Sequence, residues 1–265
     1  MKSIRIAVVG CTGRTGQAVV RAVAADPACD LAAAVTAPGD PAVGQDAGCV
    51  AGVSSLDVPV STEITGPCDV AIEFTLPAGC ETWVCRCRDQ NVPLVSGTTG
   101  LSDKQKEVLQ KAAESIPIVW SPNMSIGINL MLALAADLAG RLDASWDVEI
   151  CETHHRQKLD APSGTAHALL ESICRARNEH PDATATFGRS GTCGPRPAGQ
   201  IGVHALRMGM MVGEHEVHFC CDTECLTVRH RAFSRNTFAA GALRAARWLQ
   251  GRSAGLYTMR DVLFG

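Results

Sequence analysis

The sequence predicts an α/β fold class, in which one domain is built on a parallel sheet and a second, α+β domain carries an open mixed or antiparallel sheet. Three observations support this prediction. Apolar strand-like runs alternate with helical patterns up to about residue 125, glycine-rich or polar turns follow those runs, and three alternating strands with short turns occupy residues 200–233. Alternating strands and helices are typical of parallel sheets, whereas strands joined by short turns run antiparallel. A chain of 265 residues is long enough for two modest domains.

The first strand is predicted at Ile4–Val9, and it leads through a glycine-rich turn at residues 10–16 into a helical pattern. The amides of such a turn and the helix N-terminus together hold the pyrophosphate of a dinucleotide, although the spacing here is G-x-x-G-x-x-G rather than G-x-G-x-x-G. We therefore predict a Rossmann-like dinucleotide-binding domain. The candidate cofactor-binding residues in the turn are Gly10, Cys11, Thr12, Gly13, Arg14 and Thr15.

The second strand is predicted over residues 30–35, and Thr36 and Ala37 follow it. In dinucleotide-binding folds this position usually carries an acid that binds the adenosine ribose, or has an Arg nearby that accommodates a 2′-phosphate. Neither is present here, and Thr36 can donate one hydrogen bond to either cofactor. We therefore expect the chain to use both NADH and NADPH, with specificity constants within about tenfold and a slight preference for NADPH from Arg14.

Further strands of this sheet are predicted at residues 68–75, 92–96 and 116–120. The helices between them are predicted to begin at Pro77 and after a capping box formed by Ser102 and Gln105. Ligands of parallel sheets bind at the carboxyl ends of the strands, so the turns there are either ligand-binding segments or ordinary connections.

From residue 126 the pattern changes to a long helix, a strand, a helix over residues 163–177 and a Gly/Pro-rich loop. Three strands follow near residues 200–209, 213–222 and 224–233, and a helix follows over residues 233–249. Because short turns join the three strands, we expect each to run antiparallel to the next. The outer face of an open sheet needs cover, which we expect another subunit to provide.

The segment from Glu149 to Thr165, EICETHHRQKLDAPSGT, combines more reactive side chains than any other part of the sequence. Its first half alternates as a strand, with Val148 and Ile150 on one face and Glu149 and Cys151 on the other. His154 and His155 follow. Adjacent residues of a strand point in opposite directions, so the two imidazoles reach one atom only if the strand has already ended.

Lys158 adds a cation, and residues 160–165 are typical of a helix start, with Asp160 as a possible cap. The amides of Gly164 and Thr165 at that helix N-terminus would favour a carboxylate or phosphate. Two imidazoles, an ammonium group and exposed amides predict a pocket for a dianion that must also receive a proton. Each feature taken singly is more often structural than functional.

Taken together, the run HHxxKxDAPSGTA resembles the substrate-site motif of the dihydrodipicolinate (4-hydroxy-tetrahydrodipicolinate) reductase family of bacterial lysine and diaminopimelate synthesis. The resemblance covers essentially the whole chain, including VGEHEVHF and the terminal TMRDVL. Residues 10–15 also match the family's GxxGRM-type turn, with Thr15 in the methionine place. The chain departs from the family at Thr36 and Ala37, where many members carry Glu-Arg.

The resemblance implies NAD(P)H-dependent reduction of the cyclic dicarboxylate, with hydride delivery to C4 of the ring and protonation of the neighbouring carbon. It implies that His154 is a general acid/base, that Lys158 donates the proton and pairs with a carboxylate, and that His155, Gly164 and Thr165 bind substrate. It places the nicotinamide end of the cofactor against a set of turn residues. These are Thr75, Gly97, Thr98, Thr99, Ser121, Pro122, Asn123 and Met124.

The resemblance also implies how the domains are divided and assembled. The final long helix returns to the first domain, which gives a dinucleotide-binding domain of residues 1–125 and 235–265. A substrate-binding and tetramerisation domain comprises residues 126–234. Family members assemble as homotetramers through the second sheet.

Composition excludes several other classes of function. The net charge is −3 with scattered basic residues, which predicts no nucleic-acid or membrane partner. The N-terminus lacks an apolar leader, so we expect a cytoplasmic protein. The 13 cysteines form no zinc-site spacing, and we expect free thiols and no metal. His215 and His218 are three apart in a predicted strand and should face opposite ways.

Two rival interpretations remain at this point. A different two-domain dehydrogenase, acting on an amino acid or a sugar, would share the outline but would lack the run HHxxKxDAPSGT. A nucleotide-sensing regulator would need a partner surface or a nucleic-acid-binding element, and would have no reason to carry two histidines and a lysine beside exposed amides. Oxidation of a reduced nicotinamide cofactor in the presence of the cyclic dicarboxylate discriminates among all three.

Overall fold

The structure is a computed structural model that describes residues 3–265, and the chain divides into two compact units. The first unit extends to Ile126 and includes Arg235–Gly265, and the second is Gly127–Ser234. The described part of the chain forms 12 strands and nine helices. The strands are β1 (Ile4–Val9), β2 (Cys29–Val35), β3 (Val60–Ser61), β4 (Val70–Glu73), β5 (Leu94–Ser96), β6 (Pro117–Trp120), β7 (Asp147–His154), β8 (Ala185–Phe187), β9 (Ile201–Arg207), β10 (Gly213–Cys220), β11 (Cys225–Ala232) and β12 (Gly255–Tyr257).

The helices follow the predicted pattern, with short additional helices that the sequence analysis did not identify. They are α1 (Arg14–Ala24), α2 (Ala47–Ala51), α3 (Pro77–Asp89), α4 (Asp103–Ala113), α5 (Ile126–Arg141), α6 (Gly164–Arg177), α7 (Pro181–Thr184), α8 (Asn236–Trp248) and α9 (Met259–Phe264). Pro77 is the first residue of α3, and the capping box of Ser102 and Gln105 at the start of α4 is present as predicted.

The first unit contains a seven-stranded sheet in the order β12-β6-β5-β4-β1-β2-β3, in which every pairing is parallel. Alternate residues of β1 face opposite sides of the sheet. Ile6 and Val8 contribute to one apolar core, and Ala7 and Val9 contribute to the other. Burial on both faces explains why the strands of this sheet are continuous apolar runs, and it confirms the predicted fold class.

The second unit contains a five-stranded mixed sheet in the order β11-β10-β7-β9-β8. Each of the three later strands runs antiparallel to the next, as predicted, but the three are not all neighbours in the sheet. The pair β10 and β11 is antiparallel, but β7 lies between β9 and β10, parallel to β9 and antiparallel to β10. The strand that carries the histidine motif is therefore the central strand of the sheet, flanked by strands from much later in the chain.

One face of this second sheet packs on a core shared with α5 and α6. Val148, Ile150, Val217 and Phe219 are completely buried there. The opposite face is charged. On that face Glu214 forms ion pairs with Arg229 and Arg231, and Arg229 also contacts Glu216 at 2.8 Å.

Strand β10 also shows where the later histidines and cysteines lie. His215 faces the buried side of the strand, whereas His218 faces the charged side beside Glu216, as predicted for residues three apart in a strand. The expectation of free thiols throughout is wrong at one place. Cys220 and Cys225 are cross-strand neighbours of the β10–β11 hairpin and form a disulfide, while the other 11 cysteines are free.

No helix within residues 3–265 is both long enough and apolar enough to cross a membrane.

Candidate active site

The site in the second unit is built at the carboxyl end of β7, where His154 is the last strand residue. Glu152 precedes it by two residues, so the two side chains share a face of the strand. His154 Nδ1 lies 2.6 Å from Glu152 Oε2. The strand has ended before His155, which removes the alternation that would otherwise point adjacent side chains in opposite directions.

Glu152 is a completely buried carboxylate with several donors around it. Arg207 approaches it with both terminal nitrogens, Nη1 to Oε2 and Nη2 to Oε1, each at 2.9 Å. The amide of Ser163 donates to Oε1 at 3.0 Å. Burial raises the pKa of Glu152, but the hydrogen bonds from His154 and Arg207 outweigh it and lower the pKa to about 2. Glu152 is therefore an anion at neutral pH.

An ionised carboxylate only accepts hydrogen bonds, so His154 must carry its proton on Nδ1 and donate it to Glu152. That leaves Nε2 as the atom of His154 that can exchange a proton with a ligand. Gly213 on β10 lies beside it, since a Cβ built on Gly213 would be 3.0 Å from Nε2. A glycine at this position keeps the Nε2 atom accessible.

His215 lies behind His154 and is 3% exposed. The two rings meet edge to face with centroids 5.2 Å apart, and His215 Nε2 is 3.1 Å from Ser163 Oγ. Burial, followed by the charge of His154, lowers the pKa of His215 to about 3, and Lys158 contributes in the same direction. His215 is therefore neutral at pH 7. Because His154 and Lys158 both lower the pKa of His215, these two motif residues lie near the same buried ring.

Lys158 lies in the turn that follows β7. Its Nζ donates to both carboxylate oxygens of Asp160, at 2.8 and 2.9 Å. The same turn is fixed by hydrogen bonds from the Lys158 amide to His155 O at 3.1 Å and from Arg207 Nη2 to Asp160 O at 2.7 Å. Asp160 thus anchors the ammonium group, and Arg207 connects this turn to Glu152.

The helix N-terminus differs from its prediction in one respect. The cap of α6 is Ser163 and not Asp160, because Asp160 pairs with Lys158 while Ser163 Oγ accepts from the amide of Ala166 at 3.2 Å. Gly164 is the first residue of the helix and is exposed. Apart from its chain neighbours and the nearby backbone of its own helix, no atom of the described chain would lie within 4 Å of a Cβ built there. The first turn of α6 therefore opens on space that an anion can enter.

The glycine-rich turn in the first unit fits a dinucleotide. Gly10 has a φ of 81°, and a Cβ there would collide with the carbonyl of Phe74. A Cβ at Gly16 would collide with the carbonyl of Gly10, so this glycine allows α1 to pack closely on the turn. Gly13 is the N-cap of α1, and no side chain in the described structure caps that helix. A tight turn, close packing and an uncapped helix N-terminus are the features that bind a pyrophosphate.

The other predicted residues of this turn differ in how far their side chains are exposed to a ligand. Cys11 is buried and its amide donates to Val35 O at 3.0 Å, so it shapes the turn. Arg14 is exposed and Thr15 is partly exposed. The hydroxyls of Thr12 and Thr36 lie 2.8 Å apart.

The strand ends β4 and β5 meet at Glu73, a completely buried carboxylate that the sequence analysis missed. Ser96 Oγ donates to it at 2.6 Å and Thr98 Oγ1 at 2.7 Å. The amide of Thr75 donates at 2.6 Å, and the Thr75 hydroxyl also contacts it. Glu73 thus holds the predicted cofactor residues Thr75 and Thr98 together, while Thr99 is exposed.

The turn after β6 places its four predicted residues differently. Ser121 Oγ donates to Asn123 O at 2.8 Å, and Asn123 Oδ1 accepts from the amide of Ser125 at 2.9 Å. Pro122 is exposed, whereas Met124 is 1% exposed and belongs to the apolar core. Met124 can therefore face a ligand only with its backbone.

Comparison with known proteins decides the family. Residues 4–124 match the family model described as "Dihydrodipicolinate reductase, N-terminus", and residues 127–263 match the one described as "Dihydrodipicolinate reductase, C-terminus". The chain belongs to the dihydrodipicolinate reductase family. The 4-hydroxy-tetrahydrodipicolinate reductase of Methylococcus capsulatus is 45% identical over 98% of both chains, and that of Pseudomonas fluorescens is 46% identical over the same share. The predicted family and the predicted class of enzyme, an oxidoreductase, are confirmed.

Solved structures agree with this membership. A dipicolinate-bound dihydrodipicolinate reductase from Paenisporosarcina sp. TG-14 superposes with a TM-score of 0.78, at 27% identity and covering 98% of each chain. An amine dehydrogenase from Mycobacterium smegmatis has a TM-score of 0.61 at 13% identity, covering 97% of this chain and 95% of its own. The second likeness shows the fold alone. A dehydrogenase of another kind can therefore share the architecture of this family at low sequence identity.

The site residues missed from sequence fall into two groups. Glu152 had a signal, because it continues the inward-facing series of Val148 and Ile150 and is a charged residue on a core-facing position. Arg207 and His215 had none, since they come from β9 and β10, and Arg207 is 55 residues from Glu152 in sequence.

Proposed function

We propose that this chain reduces 4-hydroxy-tetrahydrodipicolinate to tetrahydrodipicolinate, with NADH or NADPH as the reductant, in lysine and diaminopimelate biosynthesis. Full-length relatives that carry this reductase name are 45–46% identical, and the name of one solved family member states that it binds dipicolinate. The observation that carries the proposal is the orientation of His154. Its Nδ1 is held 2.6 Å from the buried Glu152, which leaves Nε2, beside Gly213, as the atom that can exchange a proton with a ligand.

The substrate is a dianion, and the second unit offers matching groups. Gly164 and Thr165 supply amides at the first turn of α6, where the helix dipole favours negative charge by about 0.3–1 kcal/mol. His155 and the ammonium of Lys158 are the side chains that bind the carboxylates. Asp160 keeps the ammonium in place without neutralising the helix N-terminus, since its own carboxylate is occupied by Lys158.

Loss of the 4-hydroxyl group and of one proton of the neighbouring carbon, together as water, leaves a double bond between the two carbons, and a bound reduced cofactor would supply a hydride to C4 of that ring. The chain must then return a proton to the neighbouring carbon. Lys158 is the proton donor, and His154 is the general acid/base that exchanges a proton through Nε2. Because Glu152 stays ionised, it favours the Nδ1–H form of His154 and stabilises the imidazolium when Nε2 is protonated.

The first unit binds the dinucleotide. The turn at residues 10–15 and the N-terminus of α1 would hold the pyrophosphate, and the segments at Thr75, Gly97–Thr99 and Ser121–Met124 would contact the nicotinamide end. Residues 1–125 and 235–265 thus form the dinucleotide-binding domain, and residues 126–234 form the substrate-binding and tetramerisation domain. The protein acts in the cytoplasm as a homotetramer assembled through the second sheet.

A steady-state assay tests the proposal. The purified chain is given NADH or NADPH, and the absorbance of the reduced nicotinamide is followed with and without the cyclic dicarboxylate. Oxidation that depends on this substrate supports the proposal. Oxidation with an amino acid or a sugar instead, or cofactor binding with no oxidation at all, would favour one of the two rival interpretations.

A further inference from the structure

A carboxylate lies where the sequence analysis found none, at the carboxyl end of β2. Asp40 Oδ2 accepts hydrogen bonds from Thr12 Oγ1 and from Thr36 Oγ1, each at 2.8 Å. Thr12 belongs to the glycine-rich turn, and Thr36 directly follows β2. Asp40 therefore joins the segment that binds the pyrophosphate of a dinucleotide in this type of fold to the segment that binds the adenosine ribose.

The turn after Thr36 explains why Asp40 reaches this position. Gly39 has a φ of 84°, which lets the chain reverse, and the amide of Asp40 donates to Ala37 O at 3.2 Å. The amide of Ala42 then donates to Asp40 Oδ1 at 2.9 Å. These contacts direct the carboxylate back toward the end of β2.

The charge of Asp40 is retained. The hydrogen bond from the amide of Ala42, followed by those from Thr12 and Thr36, lowers the pKa of Asp40. All three donors are neutral groups, so the carboxylate keeps its full negative charge at neutral pH. Arg14 lies close enough to Arg235 to lower the pKa of that guanidinium, after the larger effect of burial.

The position of the end of β2, and with it that of Asp40, is also fixed relative to the pyrophosphate-binding turn. Strands β1 and β2 are adjacent and parallel, with Val9 opposite Val35. The amides of Gly10 and Cys11 both donate to Val35 O, at 2.8 and 3.0 Å. A dinucleotide whose pyrophosphate lies on this turn extends its adenosine ribose toward the end of β2, where an acid binds the ribose hydroxyls.

We propose that Asp40 makes this chain selective for NADH over NADPH by accepting a hydrogen bond from the ribose 2′-hydroxyl and repelling a 2′-phosphate. The inference rests on the proposed function and specifies which reductant that function uses. It replaces the expectation of near-equal use, which depended on the lack of an acid at Thr36 and Ala37. Asp40 supplies that acid from four residues further along the chain.

Direct binding tests the proposal without catalysis. Fluorescence titration of the purified full-length chain with NADH and with NADPH gives both dissociation constants, and we expect the NADH constant to be lower by at least about tenfold. In Asp40→Asn, which keeps the shape but removes the charge, the ratio should fall toward unity through tighter NADPH binding. Asp57→Asn removes the same charge from an exposed site in the same unit and should leave the ratio at its wild-type value.

Each outcome decides a different claim. Equal affinities in the wild-type chain, or an unchanged ratio in Asp40→Asn, would overturn the role of Asp40 while leaving the reductase proposal intact. Binding of neither dinucleotide would overturn the reductase proposal and the selectivity together. If the wild-type chain already prefers NADPH and this preference increases in Asp40→Asn, another residue recognises the 2′-phosphate. That result would overturn the proposed selectivity for NADH.

Discussion

The Nδ1 atom of His154 lies 2.6 Å from Oε2 of Glu152, a carboxylate with no exposed surface. This contact fixes both the ring orientation and the tautomer of the histidine. Arg207 binds the same carboxylate with two nitrogens at 2.9 Å, so the position of Glu152 is itself determined by β9. Residues of β7, of β9 and of the turn before α6 therefore together determine that Nε2 of His154 is the atom that exchanges a proton.

Replacement of Glu152 by Gln should lower kcat by about 10², because the amide can donate to Nδ1 and so favours the wrong tautomer of His154. The pH profile of kcat should also shift, since the neighbouring negative charge is lost. Glu152→Asp, which keeps the charge, should recover part of the loss. Glu216→Gln, on the opposite face of the same sheet, is the matched control. An unchanged kcat and pH profile in a folded Glu152→Gln would contradict the positioning role.

Replacement of Lys158 by Ala should lower kcat by roughly 10²–10⁴, the usual contribution of a positioned proton donor. Binding of the reduced cofactor should stay unchanged, because Lys158 lies in the second unit. Lys104→Ala removes an exposed lysine and serves as the control. A Lys158→Ala enzyme that turns over at the wild-type rate would eliminate Lys158 as the donor.

Much of this architecture could be predicted from sequence, because the signals are local. The apolar runs of the first sheet and the capping box at Ser102 depend only on neighbouring residues. The order of the second sheet could not be predicted in the same way. The short turns before and after β10 favour hairpins, but β7 pairs with β9 on one edge and with β10 on the other, which separates the two later strands.

The candidate site also contains residues that could be identified from sequence and residues that could not. His154, Lys158 and Gly164 lie in one short segment and could be identified together. Their supports could not, because Arg207 and His215 reach the site through strand pairing at long sequence separation. From sequence, Asp160 is a possible helix cap, because Asp is a common cap residue. The nearby Lys158 offers it a charged partner, and Ser163 takes the cap instead.

The free energy of unfolding should fall as the pH falls below about 6.5, partly because of His215. Its pKa is lowered from 6.5 to about 3 in the folded chain, first by burial. Between these two values the unfolded chain binds a proton that the folded chain does not, so acid favours unfolding, by at most about 1.4 kcal/mol per pH unit for one group. Glu152 adds an effect in the same direction only below its ordinary pKa of 4.5.

Urea unfolding between pH 7 and pH 5, above the range in which Glu152 contributes, measures the effect of His215 together with that of His230, whose pKa burial also lowers. His215→Gln should flatten the dependence on pH, whereas His167→Gln, at an exposed position, should leave it unchanged. The account of His215 as a buried neutral imidazole would be wrong if its replacement left the slope at the wild-type value.

Replacement of Glu73 by Gln should weaken binding of the reduced dinucleotide by about tenfold or more, since a buried donor left without its acceptor costs about 1–3 kcal/mol. In the variant, the side-chain amide of the glutamine would face the hydroxyl groups of Ser96, Thr75 and Thr98. In the wild-type chain these hydroxyl groups contact the carboxylate of Glu73 as hydrogen-bond donors. Fluorescence titration measures the change, with the exposed Glu63→Gln as control. The KM for the cyclic dicarboxylate should not change. If instead that KM rose and cofactor binding did not weaken, Glu73 would have no part in the cofactor site.

The most direct test of the central claim follows the hydride itself. The chain is incubated with 4-hydroxy-tetrahydrodipicolinate and a reduced cofactor deuterated at both C4 positions of the nicotinamide, and the ring product is examined by mass spectrometry. The account predicts tetrahydrodipicolinate that carries one deuterium at C4 of its ring, in an amount equal to the oxidised cofactor. Oxidised cofactor without deuterium in the product, or no oxidation that depends on the cyclic dicarboxylate, would contradict it.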